Sequence, residues 1–127
     1  MSAVVSAAAL AVIGALFPTT PANAAPSDCA AGTACLFKDY EFQGEVLRLR
    51  PGCYNLPSQY NDTASSVVNN TGEMLTLYQN YNGRGKYVNI WPNTSDNRLD
   101  YEIIYNEDNT FFGWNTFNDR ASSYCLR

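Results

Sequence analysis

The chain contains an internal repeat, and this feature constrains its fold more than any other. The segment Phe37–Gly44 (FKDYEFQG) is similar to Tyr78–Gly85 (YQNYNGRG), which lies 41 residues later with no gap. After each copy, apolar residues alternate with polar ones, over residues 47–50 and 88–90. This period of two is typical of a half-buried β-strand. We expect each copy to be one supersecondary unit that packs against the other.

A second motif closes each copy of the repeat. Asn61–Ser66 (NDTASS) corresponds to Asn118–Ser123 (NDRASS), 57 residues later, so the second copy is 16 residues longer. The extra residues fall between Trp91 and Asn118. Turn-forming residues recur at intervals of roughly 8–12 residues, and no segment has a sustained helical apolar stripe. The sequence therefore predicts an all-β fold of two four-stranded units packed face to face.

Composition excludes several classes of function. The chain has no His, which excludes Ser-His-Asp and Cys-His catalytic systems and zinc sites built on His. Its net charge of -4 leaves it without the basic surface of a nucleic-acid-binding protein. The acidic residues of segment 100–108 are candidate glycosidase carboxylates, but nothing distinguishes a pair of them from solvated surface acids. We therefore predict that the protein is not an enzyme and has no nucleic-acid partner.

The N-terminal segment has the pattern of a signal peptide. An apolar run at Ala7–Phe17 is followed by residues 22–24 (ANA), an A-x-A cleavage pattern. We expect cleavage after Ala24, secretion, and a single domain over residues 25–127. The run is shorter than the roughly 20 residues of a membrane span, and no second run follows, so no membrane partner is predicted. A buried N-terminal helix is the alternative interpretation.

Four cysteines, Cys29, Cys35, Cys53 and Cys125, predict two disulfides. An even number of cysteines in a small secreted chain is typical of a disulfide-stapled fold. Three pairings are possible, and Cys29 and Cys35 enclose a short loop that can turn at Gly32. A zinc site is not supported, because the chain has neither a C-x2-C spacing nor a His.

Together, the repeated hairpin and the closing motif resemble the βγ-crystallin domain family. Each half of that domain carries an aromatic-x4-aromatic-x-Gly hairpin and, downstream, an N/D-N/D-x-x-S/T-S stretch. Phe37, Phe42 and Gly44 match the first hairpin. In the second hairpin, Gly83 stands at the position of the second aromatic residue, and Tyr81 is the candidate to cover the gap.

The resemblance implies two Greek-key motifs that form a β-sandwich, with repeat one at about 33–71 and repeat two at about 72–127. In such a fold the third strand of each repeat crosses into the sheet of the other repeat and lies beside its fourth strand. The disulfides Cys29–Cys35 and Cys53–Cys125 are then expected, and the second joins the two halves. We expect a monomer.

The resemblance also implies two calcium sites that share ligands between the closing motifs. Calcium takes about 6–8 oxygen ligands, more than one six-residue stretch supplies. One motif gives the carbonyl of its third residue and the hydroxyl of its fifth, and the other motif gives an acidic side chain. The implied ligands are Asp62, Thr63, Ser65, Asp119, Arg120 and Ser122, and Asn61 and Asn118 either ligate or brace the loop. Alternatively, both motifs are only loop caps.

A narrower resemblance concerns the start of the domain. A C-x5-C spacing just before the first strand of a secreted chain is similar to bacterial metalloproteinase inhibitors built on this fold. Those inhibitors carry a second close pair of cysteines on a mid-chain loop, which this sequence lacks. The predicted function is a secreted calcium-binding module that binds or inhibits an extracellular protein. The alternative is an inhibitor of extracellular metalloproteases whose calcium sites are only structural or absent.

The 16-residue excess, placed within Pro92–Phe117, is aromatic, apolar and acidic. Such residues either pack as an extra local cluster, which is the favoured interpretation, or present a contact surface. The scaffold is not expected to need this segment, because repeat one has no counterpart to it. If the protein is an inhibitor, the predicted partner contact lies here, because aromatic side chains anchor interfaces. The candidate contact residues are Tyr101, Tyr105, Phe111, Phe112 and Trp114.

Overall fold

A computed structural model describes residues 29–127, so the predicted signal peptide lies outside the described residues. These residues form ten β-strands joined by turns and short 3-10 segments. The strands are β1 (Ala34–Asp39), β2 (Gln43–Leu49), β3 (Gly52–Asn55), β4 (Ser66–Asn69), β5 (Leu75–Asn80), β6 (Arg84–Ile90), β7 (Thr94–Asp96), β8 (Glu102–Tyr105), β9 (Phe111–Asn115) and β10 (Ser123–Leu126). Within residues 29–127, no helix is long and apolar enough to cross a membrane.

The strands form two sheets with the topology of paired Greek keys. One sheet has four strands in the order β2-β1-β4-β7, and the other has six in the order β3-β10-β5-β6-β8-β9. Strand β3 of repeat one lies beside β10, and β7 of repeat two lies beside β4. The third strand of each repeat therefore crosses into the sheet of the other repeat. The predicted all-β sandwich of two Greek-key motifs is confirmed.

The core lies between the sheets and is filled by alternate residues of each strand. Leu75 and Leu77 on β5 are buried, whereas Thr76 between them is only half-buried. Leu36 on β1 and Val67 on β4 pair across the four-stranded sheet and belong to the same core cluster. Full burial of each such side chain contributes about 1.5–3 kcal/mol. The two halves are thus held together by the apolar faces that the repeat pattern predicts.

The turn after the first strand of each repeat requires glycine at one position. Gly44 and Gly85 have φ angles of 81° and 84°. A Cβ atom on Gly44 would lie 2.7 Å from Oδ2 of Asp39, and one on Gly85 would lie 2.7 Å from Nδ2 of Asn80. Both the left-handed backbone and the close side chain disfavour any other residue, which explains why the repeated motif keeps its last glycine.

The two hairpins differ in their aromatic packing. In the first, Phe37 and Phe42 are buried and meet edge to face, with ring centroids 5.8 Å apart. In the second, Tyr81 is 45% exposed, so it does not cover the missing aromatic position. The ring of Tyr78 instead lies 5.6 Å from the ring of Tyr87 on β6. The ring that packs on the second hairpin is therefore supplied by the next strand rather than by the turn.

Two disulfides join the four cysteines. The bond between Cys29 and Cys35 closes the loop before β1 and is buried beside Phe37. Cys53 on β3 and Cys125 on β10 lie directly opposite each other in the antiparallel pair and form the second bond. This bond links repeat one to the last strand of repeat two, which is the pairing that the crystallin resemblance implies.

The insertion is shorter than its predicted bounds. The segment Pro92–Phe117 contains β7, which is the third strand of repeat two, and it also contains Leu99 and Phe117, which are fully buried. The expectation that the scaffold does not need this whole segment is therefore wrong. The residues without a counterpart are those around the β8–β9 hairpin, which extends the six-stranded sheet beyond β6. Each repeat supplies its four strands to the sandwich without this hairpin.

Candidate functional site

The two closing motifs lie side by side and exchange backbone hydrogen bonds. The N–H of Asp62 donates to the carbonyl of Ala121 at 2.9 Å, and the N–H of Asp119 donates to the carbonyl of Ala64 at 2.9 Å. Both aspartates have a left-handed backbone, with φ angles of 57° and 58°. Asp adopts this conformation more readily than most residues, which fits its place at the second position of both motifs.

The side chains of the two motifs pair in the same reciprocal way. Oγ of Ser65 donates to Oδ1 of Asp119 at 3.3 Å, and Oγ of Ser122 donates to Oδ1 of Asp62 at 3.2 Å. Both serines are only 6% exposed. The aspartate of each motif therefore lies at the fifth-position serine of the other motif, so residues more than 50 positions apart in sequence form each pair.

The third residues of the motifs, Thr63 and Arg120, differ in their surroundings. Oγ1 of Thr63 donates to the carbonyl of Tyr60 at 2.9 Å, so its side chain is engaged locally. Arg120 is exposed and belongs to none of the three ion pairs found within residues 29–127. It borders a cavity of about 380 Å³ together with Asp62 and Asp119. A positive charge at this rim opposes the binding of a cation between the two motifs.

The first residues of both motifs carry buried oxygen atoms without a partner. Oδ1 of Asn61 and Oδ1 of Asn118 are buried and have no hydrogen-bond donor among the described residues. An unpaired buried acceptor costs about 1–3 kcal/mol, and a bound cation would remove this cost. Amide, hydroxyl, carbonyl and carboxylate oxygens are the ligand types that calcium takes. The residues of the paired motifs therefore fit calcium.

Residues 29–127 contain no group of three or more His, Cys, Asp or Glu side chains that could hold a metal ion. Each candidate site would thus rely on one carboxylate, with neutral oxygens as the remaining ligands. Because calcium affinity rises with the number of charged ligands, this composition favours weak binding.

The last serine of each motif has a structural role that the sequence analysis did not assign. Oγ of Ser66 donates to the carbonyl of Asp39 at 2.6 Å and accepts from the N–H of Phe42 at 3.0 Å. Oγ of Ser123 makes the equivalent bonds to the carbonyl of Asn80 and the N–H of Gly83. These serines fix the hairpin of each repeat to its closing motif. The sequence signal for this role is the pair of consecutive serines that ends the closing motif in both repeats.

A pair of acids lies where the β8–β9 hairpin meets the sandwich. Burial raises the pKa of the half-buried Glu102 carboxyl from 4.5 to about 9, and a hydrogen bond to Asp96 and the charges of Asp96 and Asp100 act in the same direction. Glu102 is therefore protonated at neutral pH. The hydrogen bond between Glu102 and Asp96 links the start of β8 to the end of β7, which belongs to the other sheet.

This pair predicts a pH-dependent stability. The folded protein holds the Glu102 proton up to about pH 9, whereas the unfolded chain releases it near pH 4.5. The melting temperature is therefore expected to decrease as the pH is raised from about 4.5 to about 9. Glu102→Gln keeps a neutral hydrogen-bonding group and should flatten this decline. Glu73→Gln, at an exposed site, is the matched control and should retain it. Equal slopes in thermal melts of wild type and Glu102→Gln would contradict the assignment.

The aromatic residues of the insertion are mostly exposed. Tyr101, Phe111, Phe112 and Trp114 are 66%, 59%, 47% and 53% exposed, and Tyr105 is half-buried. Tyr101 stacks on Trp114 with centroids 5.2 Å apart. The core contribution of this segment comes instead from its aliphatic residues and from Phe117. The insertion therefore both packs and presents a surface, and the predicted contact residues belong mainly to the surface.

Comparison with known proteins places the chain by family and by fold. Residues 22–90 match the family described as Peptidase inhibitor family I36. The matched segment contains repeat one and the first two strands of repeat two, but not the β8–β9 hairpin. No curated protein sequence matches the chain.

Solved structures with similar folds are βγ-crystallin domains. A beta gamma crystallin from Ciona intestinalis is 22% identical with a TM-score of 0.57, and the alignment covers 76% of this chain and 100% of that one. A structure described under the evolution of the eye lens beta-gamma-crystallin domain fold is 21% identical with a TM-score of 0.60, covering 77% and 87%. A domain of Abundant Perithecial Protein from Neurospora crassa in the Ca2+-bound form is 18% identical with a TM-score of 0.52, covering 75% and 87%. These similarities confirm the βγ-crystallin fold.

Proposed function

Because the chain belongs to peptidase inhibitor family I36, we propose that it is a secreted, calcium-binding module that inhibits an extracellular peptidase. The family match, which covers more than half of the chain, is the observation that carries this proposal. Membership of an inhibitor family with a βγ-crystallin fold makes the protein a non-enzymatic module.

Secretion is supported by two independent features. The apolar run and A-x-A pattern before residue 25 have the form of a signal peptide. All four cysteines are in disulfides, which persist in oxidising compartments and are rare in the cytosol.

Calcium binding is supported by the geometry of the closing motifs. One proposed site consists of the Thr63 carbonyl, Ser65 and Asp119. The other consists of the Arg120 carbonyl, Ser122 and Asp62. Three observations support this assignment: the Ser65–Asp119 hydrogen bond of 3.3 Å, the Ser122–Asp62 hydrogen bond of 3.2 Å, and the unpaired buried oxygens of the two asparagines that begin the motifs. With one carboxylate per site, the dissociation constants should be roughly 10⁻⁵ to 10⁻³ M.

Inhibition is tested with the mature chain, residues 25–127, against a panel of extracellular metallo- and serine peptidases. At least one enzyme should lose its activity on a peptide substrate as the protein approaches stoichiometric concentration. Mass spectrometry of the recovered protein is the control, because a chain that is merely hydrolysed as a competing substrate would imitate inhibition. If no enzyme is inhibited at micromolar protein, the inhibitor proposal is wrong, and a calcium-binding module without this activity is the remaining function.

A further inference from the structure

The outer face of the six-stranded sheet carries both tryptophans of the chain, Trp91 and Trp114. On β6, Val88 and Ile90 are buried in the core. Because successive side chains of a strand point to opposite faces, Asn89 and Trp91 point outward. Trp91 is 63% exposed, and Asn89 is half-buried. The end of β6 therefore presents an indole ring and an amide group on the same outer face.

The β8–β9 hairpin continues this outer face. Ile104 on β8 is buried, so Ile103 and Tyr105 on either side of it point outward. Trp114 on β9 pairs with Ile103 and lies on the same side of the sheet. The outward residues border a cavity of about 220 Å³, which is lined by Asn89, Trp91, Glu102, Ile103, Tyr105 and Trp114. Only one of these residues comes from β9, so the cavity belongs to the face of the sheet rather than to its edge.

Two of the rings around the cavity are held in place by other rings. Tyr101 stacks on Trp114, with ring centroids 5.2 Å apart and ring planes 18° from parallel. Tyr87 stacks on Tyr105, with centroids 5.4 Å apart and planes 23° from parallel. Trp114 is still 53% exposed beside its partner. Rings that are already ordered lose little conformational freedom when a ligand packs on them, and this favours binding.

The polar groups at the cavity are uncharged. Oγ1 of Thr76 donates to Oδ1 of Asn89 at 2.8 Å, which orients the amide and leaves its Nδ2 as a donor for a ligand. The carboxyl of Glu102 is protonated at neutral pH, because burial and the neighbouring acids raise its pKa to about 9. Among the described residues that line the cavity, none therefore carries a charge at neutral pH. A charged ligand would find no counter-charge here, so the cavity favours a neutral one.

Exposed flat rings beside neutral hydrogen-bonding groups match the chemistry of a sugar ring. A pyranose with equatorial substituents presents C–H groups on its two faces and hydroxyl groups around its rim. Its face packs on an aromatic ring, while its hydroxyls bond to amide and carboxyl groups or stay in water. A wholly apolar ligand would instead need a closed pocket to leave water, which indoles that are more than half exposed do not provide.

We propose that this cavity binds a sugar unit of a neutral, β-linked polysaccharide of the glucan or chitin type. The aromatic side chains continue from the cavity across the sheet, because Tyr87 on β6 lies between Tyr105 on β8 and Tyr78 on β5. This row extends beyond one sugar unit, which favours a chain over a single sugar. The cavity shares no lining residue with the one at the closing motifs, and the proposal is independent of peptidase inhibition.

The first test titrates the mature chain with cellohexaose and with chitohexaose, two soluble chains of β-linked sugars. The tryptophan emission should shift to shorter wavelength, because Trp91 and Trp114 are the two tryptophans of the chain and both lie at the cavity. Isothermal titration gives the dissociation constant, and cellohexaose should bind more tightly than glucose. Failure of both oligosaccharides to shift the emission or release heat at millimolar concentration would overturn the proposal.

Variants of the lining residues show whether the sugar binds at this cavity. Trp91→Ala and Trp114→Ala should each raise the dissociation constant at least about tenfold. Asn89→Asp keeps the acceptor for Thr76 but removes the Nδ2 donor, and it should also weaken binding. Tyr81→Ala is the matched control, since Tyr81 is 45% exposed on the turn before β6, and it should change the constant less than about twofold.

Melting temperatures establish that the four variants fold, and the wild-type titration does not depend on them. Oligosaccharide binding that is equally tight in both Trp variants would place the sugar elsewhere and overturn the assignment of this cavity. A wild-type dimer that Trp91→Ala converts to a monomer would assign the face to a second copy of the chain and likewise overturn it.

Discussion

Replacing Cys53 and Cys125 together by alanine is expected to lower the free energy of unfolding by about 4 kcal/mol. The two cysteines are 72 residues apart in sequence and join β3 of repeat one to β10 of repeat two. The chain-entropy model attributes this stabilisation to the long loop that the bond closes in the unfolded chain. Chemical denaturation followed by circular dichroism measures the loss.

The Cys29–Cys35 bond provides the comparison for this experiment. Its sequence separation is 6, for which the same model gives only about 2 kcal/mol. Replacing Cys29 and Cys35 together by alanine also removes packing beside Phe37. The decrease in unfolding free energy measured for this variant is therefore an upper limit for the contribution of the short disulfide loop. A loss below about 2 kcal/mol for the Cys53 and Cys125 variant would show that the bond does not constrain the two halves in the expected way.

Calcium at 100 times its dissociation constant is expected to raise the melting temperature of the mature protein by at least about 10 °C. A ligand at 100 times its dissociation constant stabilises the folded state by about 2.7 kcal/mol. For a domain of this size each kcal/mol corresponds to about 4–8 °C. Asp62→Asn and Asp119→Asn should each reduce the response. Asn is the suitable replacement because it tolerates the left-handed backbone at both positions.

The controls for this prediction separate calcium from general ionic effects. Magnesium at the same concentration should stabilise the protein much less, because it demands shorter bonds and near-ideal octahedral geometry. Glu73→Gln, an exposed charge removed elsewhere, should respond to calcium like the wild type. Identical melting temperatures in calcium and in EDTA would show that both motifs serve only as loop caps.

Much of the fold follows from the sequence because the chain repeats itself. The gapless similarity of residues 37–44 and 78–85 fixes equivalent hairpins, and the two NDxASS motifs fix equivalent loop positions. Once the family resemblance is recognised, the strand crossing implies that Cys53 and Cys125 meet. The Ser65–Asp119 and Ser122–Asp62 contacts likewise follow from the symmetry of the two halves, which brings the closing motifs side by side.

The insertion shows where such reasoning fails. After Trp91 the residues of the two halves are no longer similar, although β7 is the structural counterpart of β3, so neither the place of β7 nor the burial of Leu99 and Phe117 is readable from a comparison of the two sequences. The raised pKa of Glu102 comes first from its burial and then from Asp96, which approaches it because β7 and β8 meet from different sheets. The alternation of apolar and polar residues indicates which face of a strand is apolar, but it does not indicate which strands lie next to each other.

Calcium stoichiometry in paired variants tests most directly the claim that the motifs share ligands across the repeats. Isothermal titration should find two calcium ions per wild-type chain. Asp62→Asn combined with Ser122→Ala damages one proposed site and should leave one ion bound, whereas Asp62→Asn combined with Ser65→Ala damages both and should leave none. The opposite result, with one ion retained by the Asp62 and Ser65 variant and none by the Asp62 and Ser122 variant, would contradict cross-motif coordination, as would the absence of calcium binding to the wild type.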